Sequence, residues 1–311
     1  MKWKKKGLIF NSDGKKWWSV SHAQLPVAEL IDDKIIRIYY STRDKNNISR
    51  PSYIEVEAQN PANVTYIHDR PILDIGAIGT FDDCGVIASS IASFGGKKYL
   101  YYVGWTVRNT VPYHNSIGLA ISEDGGRNFH KFSAGPIFSP TYIEPYFTGT
   151  SEILIENNIF KNWYLSCTGW KVIDGKPEPL YNIKYAESTD GINWQRNGVV
   201  AINYKNDSEG AIVRASVIKE GGIYKMWYAY RNFFDYRNNA ANSYKIGYGE
   251  SDDGIAWTRI DNGISLLGDA DSKWDNIMNC YPCVIKYKNI KYMFYNGNNF
   301  GETGIGFAVL K

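Results

Sequence analysis

Three stretches of the chain are near copies of one another, and their spacing restricts the fold more than any other feature. They read Ile117-Gly-Leu-Ala-Ile-Ser-Glu-Asp-Gly125, Ile183-Lys-Tyr-Ala-Glu-Ser-Thr-Asp-Gly191 and Ile246-Gly-Tyr-Gly-Glu-Ser-Asp-Asp-Gly254. A shortened copy, Ile305-Gly-Phe-Ala-Val-Leu310, lies near the C-terminus, and the four leading isoleucines are 66, 63 and 59 residues apart. An aromatic residue follows each Asp-Gly turn: Phe129, Trp194 and Trp257. A fixed period of this length marks one supersecondary unit used repeatedly, each copy burying its face against the next.

Two further patterns share the period. One is a β-rich run ending in aromatics, at residues 35–40, 98–102, 162–165, 224–228 and 291–295. The other precedes it, at residues 24–30, 86–93, 152–156, 215–219 and 283–288, with Gly, Asn and Asp turn signals between the two. Each unit reads as strand, hairpin, strand, loop, strand, Asp-Gly turn and a last strand carrying the aromatic. Four antiparallel strands of this kind make one propeller blade. Five copies predict an all-β chain, a single five-bladed β-propeller domain over residues 1–311. The last copy lacks a fourth strand, and residues 4–10 form a spare one ahead of the first copy. Pairing the two would close the last blade and cover a sheet edge.

Composition narrows the function classes. With 35 basic and 32 acidic residues the charge is too balanced to argue for nucleic acid, and the Lys2–Lys6 run reads as a solvated strand end. No apolar run approaches the ~18 residues of a membrane span. The N-terminus lacks the apolar segment of a signal peptide, so a cytoplasmic location is expected. Cys84, Cys167, Cys280 and Cys283 then read as reduced thiols. Cys280-x-x-Cys283 has no second pair to complete a tetrahedral zinc site, so no metal is expected. The phosphate-cradling glycine loops are missing too, and no cofactor is expected.

In propellers the functional groups gather at the entrances to the inner strands, around one axis. The five entrances here are Ser21-His-Ala-Gln24, Phe81-Asp-Asp-Cys-Gly85, Thr148-Gly-Thr-Ser-Glu152, Glu209-Gly-Ala-Ile-Val-Arg214 and Asn279-Cys-Tyr-Pro-Cys283. Acids, a base and amides converging from separate units point to chemistry at that axis. Paired carboxylates suit glycosidic bonds, one as proton donor and one as base or nucleophile. Arg214 would hold a carboxylate ionised or bind a substrate anion. Trp105, Trp170, Tyr146, Tyr181 and Tyr230 lie in loops where rings can stack on sugar faces. His22, Asp83, Glu152, Arg214 and Tyr281 are expected around one cavity.

The five-unit pattern, the Ser-x-Asp-Gly turns and the acidic entrances resemble the five-bladed propeller glycosidases of family 43 and its relatives in families 32, 68, 117 and 130. His22-Ala-Gln24, Arg43-Asp44, Phe81-Asp-Asp-x-Gly-Val86 and Tyr295-Asn-Gly-Asn298 look like a subgroup of family-43-like proteins often associated with bacterial surface-polysaccharide synthesis. The resemblance implies a base Asp in blade one, a pKa-tuning Asp in blade two and an acid Glu in blade three. Asp82 or Asp83 fits the second role, and Glu152, or Glu144 ahead of it, the third. Blade one offers His22 and Gln24 instead, its nearest acid being Asp44. Catalytic candidates are therefore Asp82, Asp83, Glu152, His22 and Asp44. Substrate-binding candidates from the entrances and loops are Gln24, Arg43, Trp105, Glu144, Trp170 and Tyr181. Arg214, Arg231, Tyr281, Asn296 and Asn298 complete that set. A carbohydrate-active enzyme of the glycosidase-like type is expected, cleaving or transferring a glycosidic bond of a sugar or sugar conjugate. The alternatives are a non-catalytic sugar-binding propeller or a glycoside phosphorylase or sugar transferase. Hydrolysis, phosphorolysis, transfer and binding alone stay open, as does the oligomeric state.

Overall fold

A computed structural model describes residues 1–268 and 272–310. The architecture is all-β: twenty-one strands and two single-turn helical segments. After β1 (Lys2–Phe10) come β2 (Ser21–Leu30), β3 (Ile35–Arg43), β4 (Ser49–Glu57) and β5 (Val64–Ile67), each antiparallel to the one before within β2–β5. The same order recurs in β6 (Gly85–Phe94), β7 (Lys97–Val107), β8 (Tyr113–Ser122) and β9 (His130–Lys131). It recurs again in β10 (Thr148–Glu156), β11 (Ile159–Ile173), β12 (Lys176–Ser188) and β13 (Val200–Ile202). A fourth run is β14 (Glu209–Glu220), β15 (Ile223–Asn232), β16 (Lys245–Ser251) and β17 (Thr258–Arg259). Beyond β18 (Ser265–Leu267), the last run is β19 (Cys280–Tyr287), β20 (Ile290–Asn296) and β21 (Ile305–Leu310), and its fourth strand is β1.

These runs form three hydrogen-bonded sheets, not separate ones. One parallel register pair, Ser49 with Gly85, joins the first two runs, and another, Tyr181 with Ala211, joins the third and fourth. Each bridge pairs the third strand of one run with the leading strand of the next. The leading strands touch in sequence: β2 meets β6, β6 meets β10, β10 meets β14, β14 meets β19, and β19 meets β2. Each carries a bulge near its start, with register shifts at Gln24/Val27, Ala88/Ser90, Thr148/Ser151, Val213/Ser216 and Cys280/Cys283. In β2, β14 and β19 the bulge holds Leu25, Arg214 and Tyr281 at φ of 58°, 54° and 53°. Non-glycine residues take this left-handed region only when the surroundings fix it.

The Asp-Gly turns explain how neighbouring runs interlock. Ser122, Ser188 and Ser251 donate their hydroxyls to Asp124, Asp190 and Asp253, and the glycine that follows is left-handed (Gly125 at 76°, Gly191 at 73°, Gly254 at 80°). The folded turn sets its aromatic edge-on against the preceding run. Phe129 meets Tyr39 at 6.2 Å and 78°, Trp194 meets Tyr101 at 6.0 Å and 77°, and Trp257 meets Trp163 at 6.0 Å and 87°. These aromatics precede the short fourth strands and do not lie on them, because the serine–aspartate turn uses the residues between.

The last run has no Asp-Gly turn, and β1 substitutes for it. Trp3 is fully buried and meets Trp227 at 5.9 Å and 88°, repeating the edge-on geometry. The substitution leaves a trace. Turn carbonyls accept from Tyr39 (3.1 Å), Tyr101 (2.9 Å) and Trp163 (2.7 Å), whereas the equivalent Trp227 has an indole N–H with no partner among the described residues. Replacing Trp3 with Ala should cost about 3–5 kcal/mol by urea unfolding, the range for emptying a large buried aromatic site. Deleting residues 1–10 should cost more, and wild-type stability in either variant would show that the contact does not hold the ends together.

Candidate functional site

Several of the acids at the strand entrances belong to a network that repeats around the fold. Tyr102, Tyr164, Tyr228 and Tyr295 hold equivalent places in the second strands, each opposite the start of the third strand's repeat. Each donates its hydroxyl to a carboxylate: Tyr102 to Asp82 (3.0 Å), Tyr164 to Glu144 (2.9 Å), Tyr228 to Asp261 (2.5 Å) and Tyr295 to Asp275 (2.8 Å). Each carboxylate also has a cation, namely Lys131 for Asp82 (2.6 Å), Arg196 for Glu144 (2.7 Å), Arg259 for Asp261 (2.7 Å) and Lys5 for Asp275 (2.8 Å). A reaction centre is needed once, whereas a scaffold contact serves every unit. Asp82 and Glu144 are thus built into the scaffold. Burial raises the Glu144 carboxyl, but Arg196, Ser166 and Lys184 more than offset this and hold it below the usual range.

Glu152 has a comparable explanation. At four of the five joints between leading strands, a side chain accepts the backbone N–H of the next strand. Ser90 accepts from Ile153 (3.0 Å), Glu152 from Val217 (3.1 Å), Ser216 from Val284 (2.8 Å) and Cys283 from Ala28 (3.2 Å). The fifth equivalent position is Val27, which has no acceptor. Glu152 also pairs with Arg214 at 2.7 Å, and Arg214 reaches the Pro26 carbonyl of β2. The guanidinium therefore ties three leading strands. Burial raises the Glu152 carboxyl despite Arg214.

The main cavity lies elsewhere, with a volume of about 650 Å³, inside the range typical of small-molecule sites. All five runs contribute to its lining. Gln24 and Arg43 come from the first, Trp105 and Tyr113 from the second, Glu178 and Tyr181 from the third, Arg231 and Tyr236 from the fourth, and Tyr281 and Phe300 from the last. Of the expected site residues, the structure gathers Gln24, Arg43, Trp105, Tyr181, Arg231 and Tyr281 here. Asp82, Asp83, Glu144, Glu152, His22, Asp44 and Arg214 are not in the lining. Of the expected cluster of His22, Asp83, Glu152, Arg214 and Tyr281, Tyr281 lines this cavity, while Glu152 and Arg214 pair with each other. The physical reason is that the bulges point Arg214 back toward Glu152 and turn Tyr281 toward the cavity.

The wall that sequence reasoning missed is the extended β11–β12 hairpin, paired out to Ile173 and Lys176. Its tip places Glu178 in the cavity, receiving bonds from Tyr236 (2.8 Å) and Arg237 (2.5 Å). Burial raises the Glu178 carboxyl, and the Arg237 and Tyr236 bonds more than offset it, so the group stays ionised. The signal was the Pro177-Glu178-Pro179 stretch, in a hairpin too long for the repeat. Phe300 was missed as well. It follows Asn299, and the two are left-handed at 60° and 53°, which presents the ring to the cavity.

Other expected residues act as supports. Trp170 packs edge-on against Tyr113 at 5.8 Å and so backs the cavity wall. Asn296 clamps β2 to β20, its amide donating to Ala23 (2.7 Å) and its carbonyl accepting from Leu25 (2.6 Å). Asn298 accepts from Ile277 and Met278. Asp44 pairs with Arg50 at 3.1 Å and closes a turn to Ile48. Asp83 accepts from Gly79 at 2.9 Å. His22 bonds Ser21 at 2.8 Å; burial, then the charge of Arg43, pull its imidazole down to about 4.

Two outcomes follow from these placements. Glu152→Ala strands the Arg214 charge and should cost roughly 3 kcal/mol or more, against about 1 kcal/mol for Ser90→Ala at the equivalent joint; equal losses would remove the special role of the ion pair. The unfolded chain protonates His22 near pH 6.5 and the folded chain near 4. The stability associated with the neutral ring is complete above the unfolded value and drains away as pH falls toward 4. His22→Asn should therefore flatten the fall in urea midpoint between pH 7 and 4.5, and an unchanged slope would count against a buried neutral imidazole.

No protein-family model matches the chain. Two curated relatives from Mycobacterium tuberculosis strains, the uncharacterized proteins MT1551 and Rv1502, are each 36% identical over 313 residues, covering all of both chains. Among solved structures, a glycoside hydrolase superposes with a TM-score of 0.74 at 18% identity, covering 99% of this chain and 91% of the other. A thermostable family-43 glycoside hydrolase gives 0.68 at 18% identity, covering 95% and 91%. A structure from the GH130 family of mannoside phosphorylases gives 0.69 at 16% identity, covering 99% and 93%. The fold is therefore the one these glycoside hydrolases share, and the chain belongs to the family of the mycobacterial proteins MT1551 and Rv1502.

Proposed function

We propose that the protein is a single five-bladed β-propeller domain that binds a sugar or sugar conjugate in the cavity where its five units meet. The blade count is supported by the five-fold recurrence of the bulged leading strand and by the four edge-on aromatic joints. One observation carries the functional reading: on a fold shared with glycoside hydrolases, rings of Trp105, Tyr113, Tyr181, Tyr281 and Phe300 wall one cavity, with forked and amide donors between them. Flat rings match the apolar faces of sugars, and the polar groups between them match the hydroxyl edges.

The lining does not favour two-carboxylate hydrolysis. That chemistry needs a second carboxyl about 5–10 Å from the first, and one of the two must carry a proton. Among the described lining residues Glu178 is the one carboxylate, and Arg237 and Tyr236 keep it ionised. Recognition of a saccharide without hydrolysis is the reading adopted. A second reading, glycosyl transfer to phosphate, is favoured by Arg43 and Arg231, which could seat phosphate where a hydrolase activates water.

Titration calorimetry against a panel of mono- and oligosaccharides tests the first reading. Binding should appear for some member and weaken about tenfold in Trp105→Ala, the ~1.4 kcal/mol of one stacking face. Aryl glycosides should release no phenol in water, and phenol release that depends on added phosphate would install the second reading. A panel with no binding at all would sink both.

A further inference from the structure

Five arginines with largely buried side chains have a carboxylate partner: Arg37 with Glu55, Arg50 with Asp44, Arg196 with Glu144, Arg214 with Glu152 and Arg259 with Glu209. Two break the rule among the described residues, and both line the cavity. Arg231 is 2% exposed, yet its guanidinium bonds only neutral oxygens: Nε to the Tyr244 hydroxyl (3.3 Å), one terminal nitrogen to the Asn232 carbonyl (2.8 Å) and the other to the Pro179 carbonyl (3.3 Å). It lies over the Tyr236 ring at 3.7 Å. Arg43 is half-buried and donates Nε to Gln24 at 3.0 Å. A guanidinium has five N–H donors, so Arg231 keeps two and Arg43 four.

Removing a charge from water without an opposite partner is costly, which is why the other five are paired. The one carboxylate in the lining cannot serve, because Arg237 and Tyr236 already hold it. Lys176 adds another cation at the rim. The cavity thus has a basic excess and two guanidinium groups with N–H donors left over, the group that grips a carboxylate or phosphate. Burial lowers the Arg43 guanidinium, and Tyr281 and Glu302 only partly oppose it.

We propose that the saccharide taken by this cavity is anionic, its phosphate or carboxylate group seated on Arg43 and Arg231 while its ring lies among the aromatic walls. This rests on the sugar-binding reading above and narrows it to a substrate class. The anion belongs to the ligand, so neutral sugars lack the group that offsets two desolvated charges.

Calorimetry with matched pairs tests it: hexose 1-phosphates and hexuronates, each beside its neutral hexose, with inorganic phosphate alone as a further arm. At least one anionic member should bind tenfold or more tighter than its neutral counterpart, and whether phosphate or uronate wins identifies the oxyanion. Arg43→Gln should reduce that preference to less than threefold while leaving the thermal midpoint close to wild type. Arg231→Lys, which keeps the charge and loses the fork, should weaken the same ligand. Equal binding of neutral and anionic partners would overturn the anionic class and leave the sugar reading standing. Anion preference unaltered in Arg43→Gln would overturn the seat. Binding of inorganic phosphate with no saccharide bound would sink the sugar reading and this substrate class with it.

Discussion

The edge-on contact between one aromatic residue and the next unit's turn holds this fold together. A four-stranded antiparallel run cannot bury both of its faces alone, so each run depends on its neighbours for a core. Apolar clusters accordingly straddle the joints: Tyr39 packs with Val86, Leu100 and Phe129, and Tyr101 with Phe160 and Tyr164. The serine–aspartate turn fixes where the aromatic sits, and the left-handed glycine allows the turn. Such ring pairs are worth about 0.5–1.5 kcal/mol each beyond the area they bury. Their larger effect is geometric, because they set the angle at which successive runs meet and hence where the leading strands converge.

That convergence separates two kinds of charge. Around the periphery, carboxylate, tyrosine and cation recur as neutralised sets, and along the leading strands polar side chains accept the neighbour's backbone N–H. These groups are satisfied within the chain. At the meeting point the pattern changes: beside the Glu178–Arg237 pair, Arg43 and Arg231 have no carboxylate partner among the described residues and are framed by rings. An opening framed by self-satisfied groups would gain little from a ligand, whereas this one has donors left over. The left-handed backbone at Tyr281 and Phe300, both presented to the same space, adds strain of the sort that clusters at binding sites.

Much of the architecture was legible in the sequence, because repetition multiplies a weak signal. The leading and second strands, the Asp-Gly turns and the role of the N-terminal strand all follow from the ~60-residue period, and the structure extends the strands at both ends. The first run was the least visible, since β4 has no Ile-Gly motif and no Asp-Gly turn. Half of the expected binding residues line the cavity, including Gln24, Arg43 and Tyr281 at or near strand entrances. The surroundings of the carboxylates were not legible, for a physical reason. A sequence shows that acids stand at the entrances, but not that Asp82 faces Lys131 and Tyr102, or that Glu152 occupies the place of Ser90 and Ser216. The tyrosine recurring in four of the second strands was the available clue, since four such hydroxyls need four acceptors. Glu178 and Phe300 were invisible to the period because they lie in segments that depart from it.

The pairing of β1 with β21 sets an order on biosynthesis. β1 cannot take its place until β21 has emerged, roughly 300 residues later, which at 5–20 residues per second is a wait of about 15–60 s. For most of that interval Trp3 lacks Trp227 and its strand lacks β21, while the runs between them can assemble in turn. The lysines at positions 2, 4, 5 and 6 give this waiting segment a dense like charge, and strands so charged resist pairing with copies of themselves. On the folded molecule the same run lies along β1, where Lys5 is the cation of Asp275.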